Sequence, residues 1–187
     1  MNPMKTRDQK WYEAGSVIKN LSNEYSDQAN LGYLPRRKLL LAIAKLLMIE
    51  HEEPENWRLH FMLGKGFLLS GSRNDSYKHY KLAVQYIDED DPSICRDVYR
   101  EASIDANRLG LGIEAEQLVN KALGFAPNDP ELLANKALTL LTQQQIDEAS
   151  DLISTSLKAL PNDPISSNAE KLINSVRQGK QPCPTKI

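Results

Sequence analysis

The tetrapeptide PNDP occurs twice in this 187-residue chain, at 127–130 and again at 161–164, an interval of 34 residues. Proline inside a helix removes a backbone donor and clashes with the preceding turn, so each copy punctuates the chain. Between the copies the apolar residues recur at helical spacings, over 130–142 and again over 146–159. The repeated unit is therefore two short helices and a turn. Such a unit cannot bury its apolar stripes alone, so units of this kind stack, each covering the next.

Helical spacing extends through the rest of the chain. Trp11, Ala14, Ile18, Leu21 and Tyr25 form one stripe near 8–25, and Pro35 suits the first turn of a helix near 35–51. Pro54 separates this from a helix near 55–70, in which Leu59, Met62, Leu63, Phe67 and Leu68 are apolar and Gly71 suits the end. Further helices are predicted near 74–88, 93–108, 113–124, 130–142, 146–159 and 164–178. Alternating β-branched runs are few, and no Asn-Gly or Asp-Gly hairpin turn joins them. The fold class is all-α, with about nine helices, each laid beside its predecessor by a short connection. The stretch SDQANLGYLP at 26–35 is longer and more polar than the other turns, and reads either as an ordered Ω-type excursion or as a mobile loop.

Length and composition bound what such a chain does. At 187 residues, 41% hydrophobic and 26% charged, it fits a single folded domain and not a disordered one. A net charge of -2 gives no basic surface for nucleic acid. The most apolar run, LLLAIAKLLMI at 39–49, contains Lys45 and falls short of the roughly 20 residues that span a bilayer, so it reads as a buried helix. The opening residues lack the apolar core of a secretory signal. Cys95 and Cys183 lie far apart with no paired-cysteine motif, which fits a reducing compartment. The expectation is a cytoplasmic protein without direct membrane insertion.

The residues of the repeat can be set side by side. HFMLGKGF carries Leu63-Gly64 and Phe67, followed by Tyr80 and Ala83 on the next helix; Tyr99 and Ala102-Ser103 lead into Ala115, Val119, Ala122 and Pro127; and Ala149, Ile153, Ser156 and Pro161 follow. Ala122 and Ser156 are 34 residues apart, but Ala83 and Ala122 are 39 apart, so the DEDDP turn at 88–92 carries an extension. This pattern resembles the tetratricopeptide repeat (TPR). The resemblance implies a right-handed superhelix of TPR hairpins in one domain, 1–187. It would comprise an atypical N-terminal helix pair with a long loop over 8–54, three hairpins over 55–163, a polar capping helix over 164–178 and a flexible tail over 179–187. Small residues such as Gly64, Ser103, Ala83, Ala122 and Ala149 would let paired helices approach closely.

The resemblance also implies that a ligand is met by the first helix of each hairpin. Those residues are Arg58, Phe61, Lys65 and Leu68; then Arg100, Ile104, Asn107 and Arg108; then Asn135, Leu138 and Leu141. An apolar strip with cationic flanks would hold a peptide or a helical segment of a partner protein. The carboxylate clamp of chaperone-binding relatives is not matched, since the corresponding frame holds Phe61 and Lys65, Glu101, then Glu131 and Asn135. HFMLGKGFLLSGSRNDSYKHYKLAV is also similar to the central repeat of type III secretion chaperones, which implies an alternative role in keeping a secreted translocator soluble. The exposed faces are compatible with a homodimer.

No catalytic pattern emerges. His51, His60 and His79 show neither HExxH spacing nor ligand spacing with the cysteines, no P-loop is present, and DEDD at 88–91 lacks the glycine and spacing of an EF-hand. His60 reads as a packed or hydrogen-bonded structural residue, Cys95 as a small buried hydrophobe and Cys183 as an exposed thiol on a loose tail. The expectation is a non-catalytic scaffold or adaptor without a cofactor or metal.

Overall fold

Aspartate–proline pairs set where the helices of the later repeats begin. Asp91, Asp129 and Asp163 are N-caps, and Pro92, Pro130 and Pro164 take the position after them, where the missing N–H has no helical partner to lose. The Asp129 carboxylate accepts from the backbone N–H of Glu131 at 2.9 Å and of Leu132 at 3.2 Å, and Asp163 accepts from Ser166 N at 2.7 Å. PNDP is therefore a turn followed by a capped helix start. Asp129→Ala removes both cap bonds together with the Arg96 pair. It is expected to lower unfolding free energy by about 1–2 kcal/mol, checked by urea denaturation followed by circular dichroism.

The computed structural model describes residues 7–25 and 31–187. Among them are nine helices and no strand: α1 Arg7–Glu24, α2 Tyr33–Glu50, α3 Trp57–Ser70, α4 Arg73–Tyr86, α5 Pro92–Arg108, α6 Gly112–Phe125, α7 Pro130–Thr142, α8 Ile146–Ala159 and α9 Pro164–Arg177. The all-α expectation holds, with helix ends within about two residues of those read from periodicity. Residues 26–30 of the 26–35 loop lie outside the described residues, and its last three, Tyr33 to Pro35, belong to α2. The chain divides into two compact units, 1–87 and 88–187, at the DEDDP extension.

In the first unit α1 packs on α2 and α3, α2 on α3, and α3 on α4. Ile18, Leu39, Leu46, Leu59 and Leu63 are fully enclosed there. The helix read as buried at 39–49 is buried on one face only. Leu39, Ala42, Ile43, Leu46 and Ile49 point inward, whereas Leu40, Leu41 and Met48 are exposed, as are Tyr33 and Leu34 at the start of the same helix. Ten apolar residues in a run of eleven wrap right around a helix, and among the described residues only one side has a neighbour.

In the second unit each of α5 to α9 packs on the helix before or after it, with α7 also against α5 and α9. Its core holds Ala134, Ala137, Leu140, Leu141, Ala149, Ile153, Ala169 and Ile173. The turns inside the hairpins repeat in phase: Gly71, Gly110 and Gln144 all adopt positive φ, at 88°, 78° and 64°, spaced 39 and then 34 residues like Ala83, Ala122 and Ser156. Gln144 holds in the left-handed region a place that glycine fills in the other two.

The tail expected to be flexible is packed. Cys183 is half-buried against the α7–α9 core, and Thr185 and Lys186 lie beside Gly110. Apolar contact at Cys183 and the close approach of the tail to Gly110, which has no side chain, explain why a polar segment without helical periodicity is nonetheless held.

Candidate functional site

The first helix of each hairpin in the second unit presents one face to a cavity of about 280 Å³. Arg100, Ile104, Asn107 and Arg108 of α5 and Asn135 and Leu138 of α7 all line it, joined by Glu131, Ile165 and Ile187. Six of the seven groove residues predicted on α5 and α7 thus converge because positions three to four apart share a helix face and α5 and α7 are neighbours. Glu131, Ile165 and Ile187 were not anticipated. Glu131 offered a signal, since it follows the Asp-Pro start of α7 and so sits one turn from Asn135; the tail residue Ile187 offered none.

Charge in this cavity is largely paired. Arg100 donates from Nη1 to Glu131 Oε2 at 2.6 Å and from Nη2 to Glu101 Oε1 at 2.9 Å, and Arg108 reaches Asp105 at 3.3 Å. Burial opposes the charge on Arg100, but Glu101, then Glu131 and Asp97, more than offset it and raise its pKa above the ordinary arginine value. The Nε of Arg100 is buried without a hydrogen-bond partner among the described residues. The cationic flank expected from the sequence is therefore a set of ion pairs with one donor left over.

The asparagines are also engaged. Asn135 Nδ2 donates to Ser103 Oγ at 2.6 Å and Asn107 Nδ2 to Thr139 Oγ1 at 3.3 Å, both between α5 and α7. These buried bonds fix the two helices that carry the cavity. Leu141, expected on the same face, instead lies in the core.

The remaining predicted residues form a strip on α3 in the first unit. Arg58 is exposed with its guanidinium 4.4 Å from the Trp57 ring centre, Lys65 Nζ lies 4.9 Å from the centre of the Phe61 ring, and Phe61 leans on Tyr80 at 5.7 Å. Phe61, Lys65 and Leu68 are half-buried, so part of this strip supports the hairpin itself.

One cluster could hold a metal ion. Glu50 at the end of α2, His60 on α3 and His79 on α4 bring a carboxylate oxygen and two ring nitrogens within 4.8 Å of one another. His60 is packed and hydrogen-bonded, as its place on an apolar face suggests. Burial, then the neighbouring His60 and Lys78, push the pKa of His79 down to about 4, against a smaller opposing effect of Asp75. Cys95 is buried, and burial followed by Glu89 raises its thiol pKa, which suits the inert role read for it.

Helical hairpins of this length, with in-phase small residues at their crossings and left-handed turns, have the tetratricopeptide-repeat fold. No family model matches the sequence, and no curated protein matches it. Solved structures do. The crystal structure of MamA superposes with a TM-score of 0.66 at 15% identity, over 76% of this chain and 81% of that one. YrrB, described as a TPR protein with an unusual peptide-binding site, gives 0.64 at 12% identity, over 90% of this chain and 87% of that one. A chain of the APC/C hetero-tetramer Cut9-Hcn1 gives 0.63 at 16% identity, over 87% of this chain and 33% of its own length. Among the described residues no helix is long and apolar enough to cross a membrane.

Proposed function

We propose that this chain is a non-catalytic, cytoplasmic interaction scaffold that takes a peptide or helical segment of a partner protein in the cavity between α5 and α7. The observation that carries this reading is the shared lining of one cavity by Ile104, Leu138, Ile165 and Ile187 together with Arg100, Arg108 and Glu131. Apolar side chains of a segment would meet the isoleucines and Leu138, while its polar groups meet the arginines and Glu131. The peptide-binding description of YrrB, whose fold this chain shares, supports the same class of ligand.

The test is affinity purification with mass spectrometry, comparing the wild type with the double variant Arg100→Glu, Arg108→Glu. Reversal of both charges is expected to weaken capture of the dominant partner more than tenfold, consistent with loss of desolvated charge pairing. Helical circular dichroism should be retained. Undiminished capture by a folded double variant would sink the groove reading.

A chaperone for a secreted apolar client is the second reading. The exposed face of α2, with Tyr33, Leu34, Leu40, Leu41 and Met48, favours it, because contiguous exposed apolar residues mark association surfaces. The same face would serve a homodimer. Co-expression with an apolar client separates the two, since only a chaperone moves the client into the soluble fraction.

A further inference from the structure

We propose that Glu50, His60 and His79 form a binding site for one divalent transition-metal ion of the zinc type. The argument starts from the His60 ring. Its Nε2 lies 2.7 Å from the backbone carbonyl oxygen of Pro54, which can only accept, so Nε2 carries the hydrogen. In the neutral ring Nδ1 is then a bare lone pair. That lone pair faces His79 Nδ1 at 3.3 Å and Glu50 Oε1 at 3.6 Å, and the His79 Nδ1 to Glu50 Oε1 separation is 3.7 Å.

With both rings neutral and Glu50 ionised, three acceptor atoms converge, and at most one proton, on His79 Nδ1, stands inside the triangle. That proton can bridge the two rings but leaves the carboxylate oxygen beyond hydrogen-bond reach of both. A cation serves all three at once. Tetrahedral zinc with bonds of about 2.0–2.1 Å to nitrogen and oxygen places its ligand atoms about 3.3–3.5 Å apart, close to the three edges found here. Two imidazoles and one carboxylate make a borderline donor set, which selects zinc, cobalt, nickel or copper over magnesium or calcium.

The surroundings hold the donors in place. The Pro54 carbonyl fixes the His60 tautomer in the way that outer partners of metal-binding histidines do. Phe67 stacks on His79 with ring centres 5.2 Å apart, and Tyr86 lies beside His60 at 6.1 Å. Both histidines are buried while Glu50 is half-exposed, so an ion enters from the Glu50 side and its fourth position is open to water. Such an ion would tie together α2, α3 and α4.

The full chain, stripped with a chelator and exchanged into metal-free buffer, is titrated with Zn²⁺ by calorimetry and with Co²⁺ by absorption. The expected result is one ion per chain, an intense tetrahedral ligand-field spectrum for Co²⁺, and a higher melting temperature in Zn²⁺. His60→Ala and His79→Ala are each expected to weaken binding by about 100-fold or more, since loss of a direct ligand exceeds loss of an outer partner. Glu50→Gln is expected to weaken it about tenfold or more. The ¹⁵N resonances of the imidazole nitrogens give a readout in the unaltered protein, with Nδ1 of both His60 and His79 moving on one equivalent of Zn²⁺. Zinc that leaves both Nδ1 resonances in place overturns the site, whether or not it binds elsewhere. Stoichiometric binding that survives both alanine variants overturns it equally.

Discussion

Gly64→Leu is expected to destabilise the first unit by about 3 kcal/mol, enough to unfold a marginally stable helical unit in large part. A β-carbon at position 64 would stand 2.7 Å from two ring carbons of Tyr80, and Tyr80 is itself fully buried. The ring cannot move aside, because close-packed interiors leave no void to receive it. Gly64→Ala carries the same clash without the longer side chain and should lose about 1–2 kcal/mol. Helix propensity alone predicts the opposite sign, a gain of about 1 kcal/mol for glycine to alanine inside a helix. Gly124 on α6 supplies the control, since nothing lies within 4 Å of its added β-carbon, and Gly124→Ala should stabilise. Chemical denaturation of the three variants decides the matter. If Gly64→Ala is neutral or stabilising, the close α3–α4 crossing is wrong. Combining Gly64→Ala with Tyr80→Leu should recover part of the loss, a coupling of about 1 kcal/mol between touching residues.

That crossing was legible in the sequence because small residues recur in phase on both helices of the hairpin, Gly64 with Ser103 on the first and Ala83 with Ala122 and Ser156 on the second. The helices were legible for the same reason: periodicity of apolar residues and proline placement are local signals. What the sequence hid depends on contacts between elements. The apolar run of α2 specified a helix but not how many of its sides would be covered, so Leu40, Leu41 and Met48 read as core and are exposed. The arginines of α5 read as free cations, because the carboxylates that pair with Arg100 include Glu131, 31 residues away on another helix. Glu50, His60 and His79 share no local spacing, and only the packing of α2, α3 and α4 brings them together. The tail gave no periodic signal at all, yet Cys183 packs on the α7–α9 core and Ile187 lines the cavity.

Leu141→Ala and Leu138→Ala are expected to part company, although both residues belong to α7 and both were read as ligand-facing. Leu141 is fully enclosed in the core shared by α7, α8 and α9, where truncation leaves a cavity that the neighbours Leu140, Ile153 and Ile173 cannot fill. Its loss should cost about 2–5 kcal/mol of unfolding free energy. Leu138 is only half-buried and lines the cavity beside Ile104. Its truncation removes surface that already meets solvent, so stability should fall by about 1 kcal/mol or less. The effect should appear instead in binding, as a severalfold loss of affinity for the captured segment, because shortening the side chain withdraws three carbons from the cavity lining. A rotation of about 100° per residue separates positions three apart by about 60° of arc, which is enough for one to face a cavity and the other a core. Urea denaturation and partner titration of the two variants therefore report different quantities. Equal stability losses would mean that Leu138 is core and that the cavity is no binding surface; a binding defect in Leu138→Ala with unfolding near that of the wild type is the outcome the geometry requires.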